Sequence, residues 1–142
     1  MFRILEIDHV VLRVRDLGAM LAFYRDALGC TIERRLDDVG LVQLRAGRSL
    51  VDLVSVHGKL GSEGGAPPGE GGRNMDHLCF RIEPFEADDI RRRLGENGIT
   101  VGEVVSRYGA EGAGPSVYLS DPEGNRIELK GPPSPPQRGN KS

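Results

Sequence analysis

The 142-residue chain has no unbroken apolar run of about 18 residues, so no helix of it is expected to span a bilayer. Cysteine is scarce. Cys30 and Cys79 are too few for a disulfide scaffold and suit free thiols in a reducing cytoplasm. An excess of one charge is also missing, since a net charge of −2 gives no electrostatic reason to expect nucleic acid or a membrane surface as partner. The N-terminus lacks a charged stretch followed by an apolar one, so a cleaved signal is not expected. The length suits one compact domain over 1–130, or two small modules sharing one core.

What is present is a repeat. Asp8-His9-Val10-Val11-Leu12-Arg13-Val14 returns sixty-eight residues later as Asp76-His77-Leu78-Cys79-Phe80-Arg81-Ile82. Each copy also closes on an acid between apolar residues, Val51-Asp52-Leu53 and Ile127-Glu128-Leu129. The first module, 5–56, reads as a strand at Ile7–Val14, a helix capped by Asp16 and stopped by Gly29, and strands at Thr31–Leu36, Leu41–Arg45 and Leu50–Val56. The second, 75–130, repeats the plan. A strand at Met75–Ile82 leads to a helix entered at Pro84 and ended near Gly98, then to strands at Thr100–Arg107, Ser116–Ser120 and Arg126–Lys130. Between them, residues 57–74 hold seven glycines and two prolines and read as a flexible linker. Residues 131–142 read as a disordered tail.

Side chains alternate across a strand. If Val10, Leu12 and Val14 pack on a helix, His9 points the other way. The same reasoning sends His77, Asp52 and Glu128 away from the helix layer, and a curled sheet would bring them into its hollow. Two imidazoles and one or two carboxylates in equivalent frames suit one divalent ion. The donor set does not distinguish Ni, Co, Mn, Fe or Zn. Asp52 is an optional ligand, because its side chain is one methylene shorter than Glu. A water bridge or a hydrogen bond to a ligand serves equally well there. Tyr118 should face the same hollow and could donate to an oxyanion. Arg126 and Lys130 share Glu128's face and could attract an anion, as could Arg13 or Arg81. Cys79 reads as packed and inert, and the glycine-rich stretch after Tyr108 as a cover for the cavity.

The Asp-His strand openings and Tyr118-Leu119-Ser120-Asp121-Pro122-Glu123-Gly124-Asn125-Arg126-Ile127-Glu128-Leu129 resemble the vicinal oxygen chelate superfamily. That group includes glyoxalase I, extradiol dioxygenases, fosfomycin-resistance proteins and bleomycin-binding proteins. More narrowly, Gly109-Ala110-x-Gly112-x-Gly114-Pro115 resembles a subgroup of small glyoxalase-domain proteins. The resemblance implies an α+β fold of two βαβββ modules forming a cupped eight-stranded mixed sheet with helices outside. It implies a homodimer and an ion held by His9, His77 and Glu128, with Glu128 as a catalytic proton shuttle; Tyr118, by its strand face, is the second catalytic candidate. Asp52 stands where glyoxalase I has a glutamate ligand, a departure that counts against that one activity. The expected function is metal-dependent lyase or isomerase chemistry on a small molecule. Ring-cleaving dioxygenation, thiol transfer to an epoxide and non-catalytic sequestration are the alternatives.

Overall fold

The computed structural model describes residues 1–135. They form eight strands in two four-stranded mixed sheets, each in its own compact unit. The order of elements is the paired βαβββ plan that the sequence predicts.

The first unit comprises residues 1–75 and the turn 121–125. Its strands are β1 (His9–Val14), β2 (Thr31–Leu36), β3 (Leu41–Ala46) and β4 (Ser49–Ser55), in sheet order β1-β4-β3-β2. β1 runs parallel to β4, and the other pairs are antiparallel. Register puts Leu12, Leu53 and Val42 in one row and Val10, Val51 and Leu44 in the next, all on one face. These strand residues are buried, apart from half-buried Val10. So are Met20, Leu21, Phe23, Tyr24 and Ala27 of the helical segment. Burying each large apolar side chain contributes on the order of 1.5–3 kcal/mol, enough to fix which face of the sheet points inward.

The helix differs from the sequence prediction. Asp16 caps it as expected, accepting from the Ala19 amide at 3.0 Å, and Gly29 ends it at φ 86°. Between them α1 covers only Leu17–Leu21, and Ala22–Ala27 is a π-helical turn. There the Leu28 amide reaches back five residues to the Phe23 carbonyl at 3.0 Å. The wider turn coincides with the burial of the adjacent rings Phe23 and Tyr24.

The second unit comprises residues 76–120 and the chain from Arg126 onward. Its sheet order is β5-β8-β7-β6, built from β5 (Leu78–Arg81), β6 (Val105–Gly109), β7 (Gly112–Ser120) and β8 (Arg126–Lys130). Ile127, Leu129, Val117 and Leu119 are its buried face. Helix α2 (Ala87–Glu96) buries Leu94 and stops at Gly98, whose φ is 74°. Pro84 lies ahead of α2, before the cap position Glu86, and not in its first turn.

β6 starts five residues later than expected, and β7 starts four residues earlier. Gly109 pairs with Gly112, so the glycine-rich stretch is the tip of a hairpin and not a cover over a cavity. Gly131 and Ser134 donate to the carbonyls of Pro115 and Ala113 at 2.8 Å each, so the chain after β8 first runs beside β7. The rest of the expected tail, 136–142, lies outside the described residues. No helix among the described residues is long and apolar enough to cross a membrane.

Candidate functional site

In the first unit, His9 opens β1 and is exposed. Its Nδ1 lies 2.7 Å from Asp8 Oδ1. That hydrogen bond, helped by the charge of Asp52, raises its pKa above the usual imidazole value. If Nδ1–H donates to Asp8, Nε2 presents its lone pair outward. Asp52 is 3% exposed and sits in register with Val11 on β1 and Gln43 on β3, on the face opposite Val51 and Leu53. Gln43 Nε2 donates to its Oδ2 at 3.1 Å. Its Oδ1 is buried with no hydrogen-bond partner. A buried carboxylate oxygen without a donor is costly, and a cation or a donor group on that face would relieve it.

The second unit repeats the arrangement around His77, which stands one residue ahead of β5. Its Nδ1 lies 2.6 Å from Asp76 Oδ1, and its Nε2 lies 3.3 Å from Glu128 Oε1. With Nδ1–H directed to Asp76, a lone pair faces a carboxylate oxygen unless a proton or a metal ion sits between them. Two donors that each bind one ion at about 2.0–2.2 Å are roughly 3.0–3.4 Å apart. The observed spacing falls in that window. Glu128 is 5% exposed and is the register partner of both Cys79 on β5 and Tyr118 on β7.

The Tyr118 ring stands edge-on to His77, with centroids 5.5 Å apart. Arg107 covers it at 4.1 Å, and Arg126 lies 5.1 Å from its centroid. Arg107 is fixed in turn by Ser116, whose hydroxyl accepts from Nη1 at 2.6 Å. Cys79 is exposed, contrary to the expectation of inert packing. Partial desolvation and the neighbouring Glu128 push its thiol pKa up to about 11.

Each unit thus supplies an imidazole held by the preceding aspartate and a buried carboxylate on the same open face. Among the described residues no group of three His, Cys, Asp or Glu side chains is gathered closely enough to hold a metal ion. The sequence profile of the Glyoxalase/Bleomycin resistance protein/Dioxygenase superfamily matches residues 6–129. The chain belongs to this superfamily. Among its relatives, this glyoxalase-superfamily chain is 30% identical to Virulence protein STM3117 of Salmonella typhimurium over 87% of its own length and 82% of that protein. The solved structure of that protein matches with a TM-score of 0.72, at 28% identity, over 92% of this chain and 98% of the other. Metallothiol transferase FosB of Bacillus licheniformis is 27% identical over 89% of this chain and 75% of its own length. The structure of lactoylglutathione lyase from Agrobacterium tumefaciens matches at 26% identity and TM-score 0.63, over 89% of this chain and 92% of that one.

Several residues of this superfamily member were not singled out by sequence. Gln43 was recoverable, because it lies opposite Asp52 once the β3–β4 hairpin is paired. Arg107 and Ser116 fall within expected strands, but bringing them together needs the β6–β7 register, which the misplaced ends of those strands concealed. Arg13 and Arg81 are already engaged. Arg13 donates to the carbonyls of Gly61, Gly65 and Ala66 at 2.7–3.1 Å, which folds the glycine-rich segment back onto β1. Arg81 pairs with Glu83 at 2.7 Å and Glu111 at 2.6 Å.

Proposed function

We propose that the chain is a divalent-metal-dependent enzyme acting on two adjacent oxygens of a small molecule. His9, His77 and Glu128 would hold the ion, and Asp52, whose charge acts on His9, would join or brace them. The observation that carries this reading is the 3.3 Å spacing of His77 Nε2 and Glu128 Oε1, with Nδ1 of the same ring tied to Asp76. The orphaned Oδ1 of Asp52 supports it independently. The complete ligand set draws on both units, of one chain or of two chains in a homodimer. The chemistry a bound divalent ion supplies is Lewis-acid polarisation of the neighbouring substrate oxygens.

The protein's own groups would do the rest. Glu128, buried beside its ion-holding partner, takes a proton from the carbon next to the polarised oxygen and returns it to the adjacent carbon. Tyr118, across the ladder from Glu128, donates to the oxyanion that develops. This is lyase or isomerase chemistry of the glyoxalase kind, in keeping with the lactoylglutathione lyase likeness. Thiol transfer is the second reading, and the curated metallothiol transferase relatives favour it.

The test is metal analysis of protein purified without added ions, followed by turnover of a methylglyoxal–thiol adduct. About one divalent ion per chain and measurable turnover are expected. His77→Ala should abolish tight uptake and leave the protein folded, and undiminished uptake would remove the centre. Turnover of an epoxide with a thiol, in place of the adduct, selects the transferase reading. Iron with oxygen uptake on catechols selects dioxygenation, and ligand binding by a metal-free protein selects sequestration.

A further inference from the structure

The open face of the first unit carries a row of polar side chains that ends on an unused oxygen. Register sets Arg34 of β2 opposite Gln43 of β3, and Gln43 opposite Asp52 of β4. Arg34 Nε donates to Gln43 Oε1 at 2.9 Å, and Gln43 Nε2 donates to Asp52 Oδ2 at 3.1 Å. A guanidinium only donates, so the Gln43 amide has one admissible orientation, with its NH2 toward Asp52. A bulge in β2 creates this order. Ile32 pairs with Leu44 and Arg34 with Gln43, so Glu33 is the extra residue. An unbulged strand would set Glu33, an acceptor, against Gln43 and favour the reverse orientation. Glu33 instead accepts from Arg45 Nη2 at 3.1 Å.

Two observations separate Asp52 from Glu128, its counterpart in the second unit. Val11, two residues past His9, is in register with Asp52, as Cys79, two residues past His77, is with Glu128. From that shared frame Glu128 comes within 3.3 Å of its histidine. Asp52 is one methylene shorter. Among the described residues His9 forms its ion pair with Asp8, while Asp52 acts on it through charge alone. The second observation is that Asp52 Oδ1 is buried without a hydrogen-bond partner. The side chains around it offer no donor. Gln43 is already engaged, and Val11, in register, is apolar, as are Leu50 and Val54 on the same face of β4. Buried carboxylate oxygens normally have partners, so the missing donor comes from outside the chain.

We propose that Asp52 is not a ligand of the ion but accepts an O–H or N–H of the substrate beside its paired oxygens, and that Gln43 and Arg34 are positioning residues that keep Oδ1 free for it. The ion and the paired oxygens rest on the metal-centre reading; the single free acceptor does not. The substrate class narrows accordingly. It carries a proton on or next to one of its vicinal oxygens, as an α-hydroxy acid or α-hydroxy ketone does. A compound with carbonyl groups at both positions leaves Oδ1 without its donor and binds less well.

Lactate and pyruvate differ by an O–H against a C=O, and both present vicinal oxygens to a divalent ion. The experiment titrates each into the full chain, 15N-labelled and loaded with zinc, and reads the ratio of their affinities. Comparing that ratio between variants cancels the ion's own preference. In Asp52→Asn, Gln43 still donates, so the new carbonyl must accept from it and the new NH2 takes the place of Oδ1. A donor then faces the lactate hydroxyl, and the lactate-to-pyruvate ratio should fall at least about tenfold. Adding Gln43→Met frees that amide to turn, so the double variant should regain lactate preference, which a merely structural role of Gln43 would not produce. An unchanged ratio in Asp52→Asn overturns the inference, as does a zinc-loaded chain that binds neither acid. A double variant no better than the single one overturns the positioning role. If Asp52→Asn loses its dispersed spectrum, Asp52→Ala is used, and an unchanged ratio there overturns the inference instead. Zinc uptake is measured in parallel by competition with a chelator. Asp52→Asn should stay within about tenfold of the unaltered chain, as a group outside the coordination sphere does. A loss as large as that of His77→Ala makes Asp52 a ligand and overturns the inference. Absence of uptake by the unaltered chain removes the centre itself, so the two failures are read apart.

Discussion

Replacing Asp76 by Asn, and separately Asp8 by Asn, removes the carboxylate that orients each histidine without touching a proposed ligand. The hydrogen bonds concerned are short, 2.6 Å at His77 and 2.7 Å at His9. The His77 bond holds Asp76 below the usual carboxylate range, so this acceptor stays charged through neutral pH. Groups that orient a metal-bound imidazole typically account for 10–100-fold in metal affinity. Both aspartates are nearly fully exposed, 87% and 89%, so solvent screening argues for the lower end, about tenfold each. Their exposure also means that neither change should disturb the fold. If both histidines hold the same ion, the double variant should lose about a hundredfold, because the two effects act on one equilibrium. Competition with a chromophoric chelator in metal-buffered solution measures this directly. Single variants within twofold of the unaltered chain would refute the orienting role. Single losses that fail to combine would refute the shared ion.

Four further outcomes are expected. Tyr24→Phe removes the buried 2.7 Å hydrogen bond to Asp121 and should lower stability by about 1.5–3 kcal/mol in urea unfolding, the range for a bond to a charged acceptor. Asp52→Asn should raise the stability of the metal-free protein by about 1 kcal/mol, because a neutral orphan costs less than a charged one; destabilisation in the same assay would contradict the geometry. In metal-free protein, Cys79 with its thiol pushed up to about 11 should react with iodoacetamide at pH 8 roughly a hundredfold more slowly than a thiol at the ordinary value of 9.0. Its rate should climb about tenfold per pH unit toward that pKa, and Glu128→Gln should speed it at fixed pH. Arg13→Met should release the segment 61–66, read as faster limited proteolysis within 57–74.

The parts of the fold visible in the sequence are those governed by alternation. Leu12 and Val14 fix the face of His9 on β1, and Ile127 and Leu129 fix that of Glu128, because a one-residue slip would expose a buried row. Asp16, Gly29 and Gly98 act at helix ends through local geometry that residue type alone encodes. The π-helical turn was not visible, since Leu17, Leu21, Tyr24 and Leu28 repeat at a spacing that an ordinary helix also satisfies. The start of β7 was obscured for a different reason. Glycine and proline read as loop, but Gly109 and Gly114 stand in strands where the Lys130 stem and the Pro132 carbonyl leave no room for a side chain. The partners of Arg13 were invisible altogether, because backbone carbonyls carry no sequence signature.

The Asp121 turn is legible as a turn, yet its consequences lie elsewhere. Asp121 is 4% exposed and accepts from Tyr24, from the amides of Glu123 and Asn125 and from the Asn125 side chain at 2.7–2.9 Å. The Glu123 carboxylate accepts from the amides of Arg15 and Asp16 at 2.8–3.0 Å, just where the first helix begins. The five-residue motif therefore stabilises the first unit, although in sequence it is the connection between β7 and β8.

The grip of Arg13 on the glycine-rich segment has an evolutionary corollary. One guanidinium reads three peptide oxygens and no side chains, so the arginine itself sets no side-chain requirement on the residues it holds. Space and backbone conformation set one instead: a Cβ on Gly61 would overlap the Ser55 carbonyl oxygen, one on Gly64 would fall 2.5 Å from the Arg13 Cζ, and Gly65 holds φ 81°. Homologous chains could rewrite Glu63 and Ala66 and keep the path, provided the arginine and these three glycines persist together.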